Sequence, residues 1–402
     1  MAIKSGQILH DAHGFVVDRI QTGGVGNLNI PEEKIYELGN YETVATIRDI
    51  PDLSFEMESL DVSTEIEALT LFRDPSATVD GDEFDFIDSV PMDIISPFKT
   101  AQGQFSIVRG IVVPYLTLEQ VTYRFGVRQN ATQNFTLRGD SVYYVPGTPY
   151  YEEFSGNGVT TSFSFAHTAI VYRESGDDIY ALSVCVVESD GTYTRLFHGD
   201  DYTDTASGFT LADATDAPVG STIRVVYGST VAATYDATVH EGNSVKPAAV
   251  RGKDIDVYIG TDDATPVFTR WTGVQSFEVT RRVNLDNDEE FGNFHFVAQD
   301  YDTAEVSGSI TVRPRDVTDL FDKIAQVANV DTDEIVGPHS SVGLPMELRI
   351  NDPDTGDRVK TLYVPDARFT VPGVQGRVQQ KTEVQFNFNS DGGTLKVYAG
   401  ER

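Results

Sequence analysis

The chain has 402 residues, enough for two or three domains with proper cores, and 62 acidic against 30 basic residues give it a net charge of −32. Its single cysteine, Cys185, excludes an intrachain disulfide and a cysteine-built metal site, and no apolar run is long enough to span a membrane. Asp outnumbers Glu by 39 to 23, Arg outnumbers Lys by 21 to 9, and the acids are spread along the whole chain rather than gathered in a tail. Such a surface repels nucleic acid, and it fits a protein adapted to concentrated salt, a surface that lets polyanions pass without sticking, or both.

Abundant Gly, Tyr and Phe with β-branched alternation predict a mainly β protein. The N-terminus, MAIKSGQILHDAHGF, lacks the apolar core of a signal peptide. His10 and His13 have no visible third ligand. TGGVGNLN (Thr22 to Asn29) has Asn29 where a dinucleotide loop needs its third glycine and no helix pattern behind it, so a flexible loop is expected. After YELGNYETV, with Glu37 to Asn40, comes an alternating strand at SFEM (Ser54 to Met57). DVSTEIEAL then predicts a short helix, with Asp61 as its cap and Ile66 and Leu69 on the inner face. VRQNATQNFTL (Val127 to Leu137) is a period-two strand with Phe135 and Leu137 on one face, and the sequons at Asn130 and Asn134 fall on that strand rather than a loop. RGDS (Arg138 to Ser141) spells an adhesion motif but reads as a hairpin turn.

Residues 151–240 differ in character. FSGNGVTTSFSF, DYTDTASGFTL and GSTIRVVYG are short strands separated by Gly, Asp and Asn turns, the pattern of a small sandwich. YVPGTPYY (Tyr144 to Tyr151) and EGNSVKPAAV (Glu241 to Val250) read as its linkers, and it is expected to project outward as a decoration. His240 and Glu241 have no second His to complete a zinc pair. Beyond them the single tryptophan, Trp271, leaves no aromatic platform for a carbohydrate.

Earlier phrases then return in the same order. EEFGNFHFV carries Glu290 to Asn293, SITV spans Ser309 to Val312, and DVTDLFDKI starts at Asp316 with Phe321 and Ile324 at helical spacing. VQQKTEVQFNF (Val378 to Phe388) sets Phe386 and Phe388 against Phe135 and Leu137. The offsets are 253, 255, 255 and 251, and SDGG (Ser390 to Gly393) stands where the first copy has RGDS. Between these anchors NDPDTGD (Asn351 to Asp357) has calcium-type oxygens but lacks the closing Glu, so it reads as a polar hairpin loop. The chain therefore divides into a first copy at 1–146, an inserted β-sandwich module at 151–240 and a second copy at 246–402. No Ser-His-Asp, paired-Glu or HExxH arrangement stands out, so no catalytic, cofactor-binding or metal residue is assigned, no cofactor is expected and no enzyme is indicated.

The run from Gly14 to Phe72, GFVVDRIQTGGVGNLNIPEEKIYELGNYETVATIRDIPDLSFEMESLDVSTEIEALTLF, resembles the major tail tube proteins of tailed viruses, and the likeness extends to both repeated units. The resemblance implies two tube domains, each a β-sandwich or barrel with one short helix, as in siphovirus tails whose duplicated proteins form trimeric, pseudo-hexameric rings. It implies a structural virion protein, made in the host cytoplasm, whose stacked rings form the conduit for DNA ejection. Its partners would be further copies of itself, a tape measure protein, and tail terminator and baseplate proteins. Viral DNA would pass without specific binding, and no membrane is involved. GQILHDAHGF and LDNDEEF would lock ring to ring. Together with the acidic composition, the resemblance points to a virus of halophilic archaea. A baseplate or capsid-decoration protein and a carbohydrate-active enzyme are the alternatives.

Overall fold

The computed structural model describes residues 11–12, 15–17, 20–36, 43–48, 50–60, 63–71, 73, 78–86, 91–99, 106–174, 177–188, 193–231, 233–234, 250–262, 265–288, 295–331, 336, 342–370, 372, 382–390 and 392–402. The stretches Glu37–Asn40 and Glu290–Asn293, with His10, His13, Asp61, His240 and Glu241, lie outside them. As the alternation predicts, the fold is mainly β, with two α-helices among the described residues.

The first half supplies β1 (Ile20–Asn29), β2 (Asp52–Ser59), α1 (Glu65–Thr70), β3 (Met92–Lys99), β4 (Ser106–Gly126), β5 (Thr132–Gly139) and β6 (Tyr143–Val145). The module contains β7 (Thr148–Ser155), β8 (Ala181–Val187), β9 (Tyr193–Arg195) and β10 (Thr222–Ser229). The second half supplies β11 (Val274–Asp288), β12 (Ala298–Val312), α2 (Val317–Ala328), β13 (Gly343–Asn351), β14 (Arg358–Thr370), β15 (Val384–Ser390) and β16 (Lys396–Ala399).

The pairings of the two halves run in parallel. In the first, β1, β2, β5 and β4 lie side by side; in the second, β11, β12, β15 and β14 do, all antiparallel. Each half adds a hairpin, β3 with β4 and β13 with β14, and a short last strand on it, β6 or β16. The registers differ slightly. Phe135 faces Met57, whereas Phe386 faces Ile310 rather than Val312, the residue 255 after Met57. A shift of two residues keeps every side chain on its original face, so the core pattern survives.

The two sets of four strands are not separate sheets. β4 pairs with β11 from Ser276 opposite Gly126 to Arg282 opposite Gln120, so these eight strands run side by side within one larger sheet over one shared core. Phe55, Phe135 and Leu137 of the first half and Phe386 and Phe388 of the second are all in that core. The module has its own core of Val184, Val186, Phe209, Ile223 and Val225 beneath the sheet β7-β10-β8-β9.

Four local expectations need correction. Tyr144 to Tyr151 is not a linker: β6 and β7 occupy it, and the chain turns only at Pro146–Gly147, because Thr148 to Tyr151 pair with β10. Arg138 to Ser141 is not a hairpin turn, since β5 and β6 pair with successive parts of β4 and not with each other; the corner at Ser390 to Gly393 does the same along β14. TGGVGNLN is strand β1 rather than a loop; it pairs with β2 from Thr22 opposite Glu58 to Asn29 opposite Asp52. In α2, Asp316 caps as expected by accepting from the Asp319 N–H at 2.8 Å, but Phe321 is 59% exposed; Leu320 is buried and Ile324 only partly so. Ile66 and Leu69 of α1 are buried as expected.

Candidate functional site

This run of eight strands has two unlike faces, and strict alternation creates both. On β2 the buried residues are Leu53, Phe55, Met57 and Ser59, and on β5 Gln133, Phe135, Leu137 and Gly139; β15 buries Val384, Phe386, Phe388 and Ser390. The residues between them point to the other side. They are Ser54, Glu56 and Glu58 on β2, Asn134, Thr136 and Arg138 on β5, and Gln385, Asn387 and Asn389 on β15. β11 continues this side with Ser276, Glu278, Thr280 and Arg282, and β12 with Ser307, Ser309 and Thr311. The result is a broad face of hydroxyls, amides, glutamates and arginines, without an aromatic or aliphatic side chain among the residues named.

Its cations are tied down. Arg138 holds Asp52 at 2.7 Å and Glu119 at 2.8 Å; Arg124 reaches Glu278 at 3.2 Å and Arg282 reaches Glu119 at 3.4 Å. The hydrogen bonds that Arg138 donates to Glu119 and Asp52 raise its pKa above the ordinary value. The seam between the halves is crossed on this face by Thr122 and Thr280, whose hydroxyls lie 3.0 Å apart. Arg368 of β14 lies on the same side and has Asp366 at 3.8 Å, so among the described residues of these strands no guanidinium on this face is left without a carboxylate partner to grip a phosphate.

The face ends at β1. Among the described residues β1 pairs only with β2, so its other edge is open, and Leu28 on it and Ile30 just beyond it are 43% and 42% exposed.

A second polar cluster lies where the module meets both halves. Tyr115, held at φ 54°, donates its hydroxyl to the Val184 carbonyl at 2.8 Å and accepts from the Val184 N–H at 2.9 Å. Asp93 accepts from the Tyr115 N–H at 3.1 Å and from the Ser183 hydroxyl at 3.2 Å; burial pushes its carboxyl up, and these bonds only partly offset that. Asp140, the acid of the RGDS stretch, is 3% exposed and accepts from Arg195 at 2.8 Å and from the Phe296 N–H at 2.9 Å. Burial alone would raise Asp140, but Arg195 and His295 outweigh it and hold its carboxyl well below the usual range. This motif is a buried lock and cannot serve an adhesion receptor. The module is thus docked, not dangling.

Other candidates take structural roles. Trp271 is buried, donates to Gln326 Oε1 at 2.9 Å and packs edge-on against Phe386. NDPDTGD caps the hairpin of β13 and β14, with Asp352 Oδ1 accepting from the Asp354 N–H at 2.7 Å. Cys185 is fully buried, and burial pushes its thiol up. Among the described residues no group of three His, Cys, Asp or Glu side chains could hold a metal ion, and no helix is long and apolar enough to cross a membrane.

No family model matches the chain, and no curated protein matches it. Among solved structures it is similar to a chain of the anti-feeding prophage baseplate, with a TM-score of 0.28 and 10% identity over 39% of this chain and 98% of that one. So low a similarity carries nothing about function.

Proposed function

We propose that this chain is a structural virion protein that closes into rings by strand addition and stacks into a tail tube, its polar sheet face turned to the lumen. The observation that carries the reading is the ladder between β4 and β11, in which one half of the chain already adds its sheet to the other edge to edge. The two halves are read as copies of one unit, so three chains supply six such units and close a threefold ring of pseudo-sixfold appearance. The open edge of β1 is the place where a further copy adds its strand. A lumen of Ser, Thr, Asn, Gln and Glu with neutralised arginines lets DNA slide without holding it. The tape measure, terminator and baseplate proteins remain the expected partners, and the tailed virus of a halophilic archaeon the expected source.

Negative-stain images of the purified chain in molar salt test this. Hollow rings or tubes with three chains per ring are expected, weakening on dialysis to about 0.1 M, where the Debye length grows from about 3 Å to about 10 Å and charge repulsion between subunits is less screened. Leu28→Lys with Ile30→Lys should block assembly and leave the monomer folded. Monomers at every salt concentration, or rings of six chains, would overturn the reading.

A further inference from the structure

Beneath the shared core lies a polar cluster that the tube reading does not use. Lys360 on β14 is 0% exposed, and its Nζ donates to Glu67 Oε1 at 2.6 Å and to Gln133 Oε1 at 2.8 Å. Glu67 belongs to α1 and Gln133 to β5, so the amine of the second half sits between a carboxyl and an amide of the first. Tyr123 donates its hydroxyl to the same Glu67 oxygen at 2.6 Å, and its ring lies 5.4 Å from Nζ. The other carboxyl oxygen, Oε2, is buried without a hydrogen-bond partner. Glu67, Tyr123 and Gln133 are each no more than 1% exposed.

We propose that Lys360 and Gln133 are joined by an isopeptide bond that the chain forms on itself, with Glu67 carrying the protons. A charged pair in so dry a place is costly, and passing the ammonium proton to Glu67 makes both partners neutral. The freed amine is a nucleophile already in contact with the Gln133 amide, while the Glu67 carboxyl beside it supplies the acid. Nζ attacks Cδ of Gln133; the Nζ–Cδ bond forms and the Cδ–Nε2 bond breaks. Nε2 leaves as ammonia with a proton relayed by Glu67, which then takes up the proton lost from Nζ. The carboxyl ends protonated, and no oxidant or reductant is needed. β5 and β14 are not paired with each other in the sheet, so the bond would tie together two strands that no backbone ladder joins. It would also replace a buried ion pair with a neutral amide.

Intact-mass measurement of the full chain, unfolded in denaturant, tests this directly. The wild-type chain should be lighter than its sequence by one ammonia, about 17 Da, and proteolysis should yield one branched peptide joining the segments of Gln133 and Lys360. Lys360→Met and Glu67→Gln should each return the full sequence mass. A wild-type chain of full mass, with Lys360 free to react with an amine label after unfolding, overturns the proposal whether or not the variants fold. Loss of one water would place the bond on Glu67 and overturn the assignment of Gln133.

Discussion

The seam between the two halves and the seam around the module are made of different materials. The first is a backbone ladder over a common apolar core, running from Ser276 to Arg282 along β11. The second has a small apolar patch of Ile95, Val112, Val145 and Val226, and depends otherwise on individual polar side chains: Tyr115 on Val184, Ser183 on Asp93, Arg195 on Asp140. A ladder uses groups that every residue carries, so it tolerates sequence change and suits a contact that is to be repeated between copies. A lock of buried polar groups holds only if each partner is present, and losing one leaves the other unsatisfied. Single substitutions should therefore damage the module seam far more than the ladder.

The largest effect is expected at Arg195. Arg195→Met leaves the Asp140 carboxylate buried without its cation, and a loss of about 3–5 kcal/mol is expected, read as the fall in the urea midpoint at one fixed salt concentration. Adding Asp140→Asn should recover much of it. The pH dependence follows the sign of the shift: Asp140 is depressed in the fold, so its contribution is present above the ordinary Asp pKa of about 3.9 and lost as pH falls toward its lower folded value. In the double variant that part of the acid sensitivity should be missing.

Tyr115→Phe comes next, at about 1–3 kcal/mol, because it removes the acceptor of the buried Val184 N–H, while the Val184 carbonyl keeps the Leu196 N–H at 3.0 Å. Asp93 should behave in the opposite sense. Its carboxyl is raised by burial, so whatever it contributes is complete below the unfolded pKa and lost as pH rises through the folded one. Asp93→Asn keeps an acceptor for the Tyr115 N–H and Ser183, and should raise stability by roughly 1 kcal/mol at pH 8 while changing little at pH 3. Equal destabilisation at both pH values would mean that the carboxylate itself is needed in this seam.

The strands that flank the ladder were legible in the sequence, though the pairing of β4 with β11 was not. Period-two alternation in SFEM, VRQNATQNFTL and VQQKTEVQFNF places Phe55, Phe135 and Phe386 on inward faces, and they are buried. α2 was legible from Asp316, but not its facing, because Phe321 and Leu320 are adjacent and apolar and only the packing chooses between them. The lock was not legible. Asp140, Arg195 and His295 lie far apart in the chain, and the turn signals around Asp140 mimic an exposed loop. Tyr144 to Tyr151 was misread because Pro and Gly imply a linker, yet a single turn between two strands uses the same residues. The Lys360 cluster did leave a trace. In RVKTLYV the lysine is in phase with Leu362 and Val364, just as Gln133 is in phase with Phe135 and Leu137, and a polar residue in the core phase demands a partner.

The smallest stability effect, and the sharpest functional one, belongs to the polar face of the ladder. Glu278→Gln removes the partner of Arg124, and Glu119→Gln removes that of Arg282 and one of the two partners of Arg138. Arg124, Arg282 and Glu278 are about half exposed and Glu119 largely buried, so the double variant should lose only about 0–1 kcal/mol in the same urea titration. What changes is the charge left to meet a phosphate. Each arginine that engages DNA adds about −0.9 to the slope of log K against log salt, so the variant should bind labelled duplex at about 0.1 M salt with a measurable slope. The wild-type chain should show no binding under the same conditions, by anisotropy or by retention on a DNA column. Strong wild-type binding would mean that the arginines are not neutralised, and the face could not line a channel through which DNA has to slide.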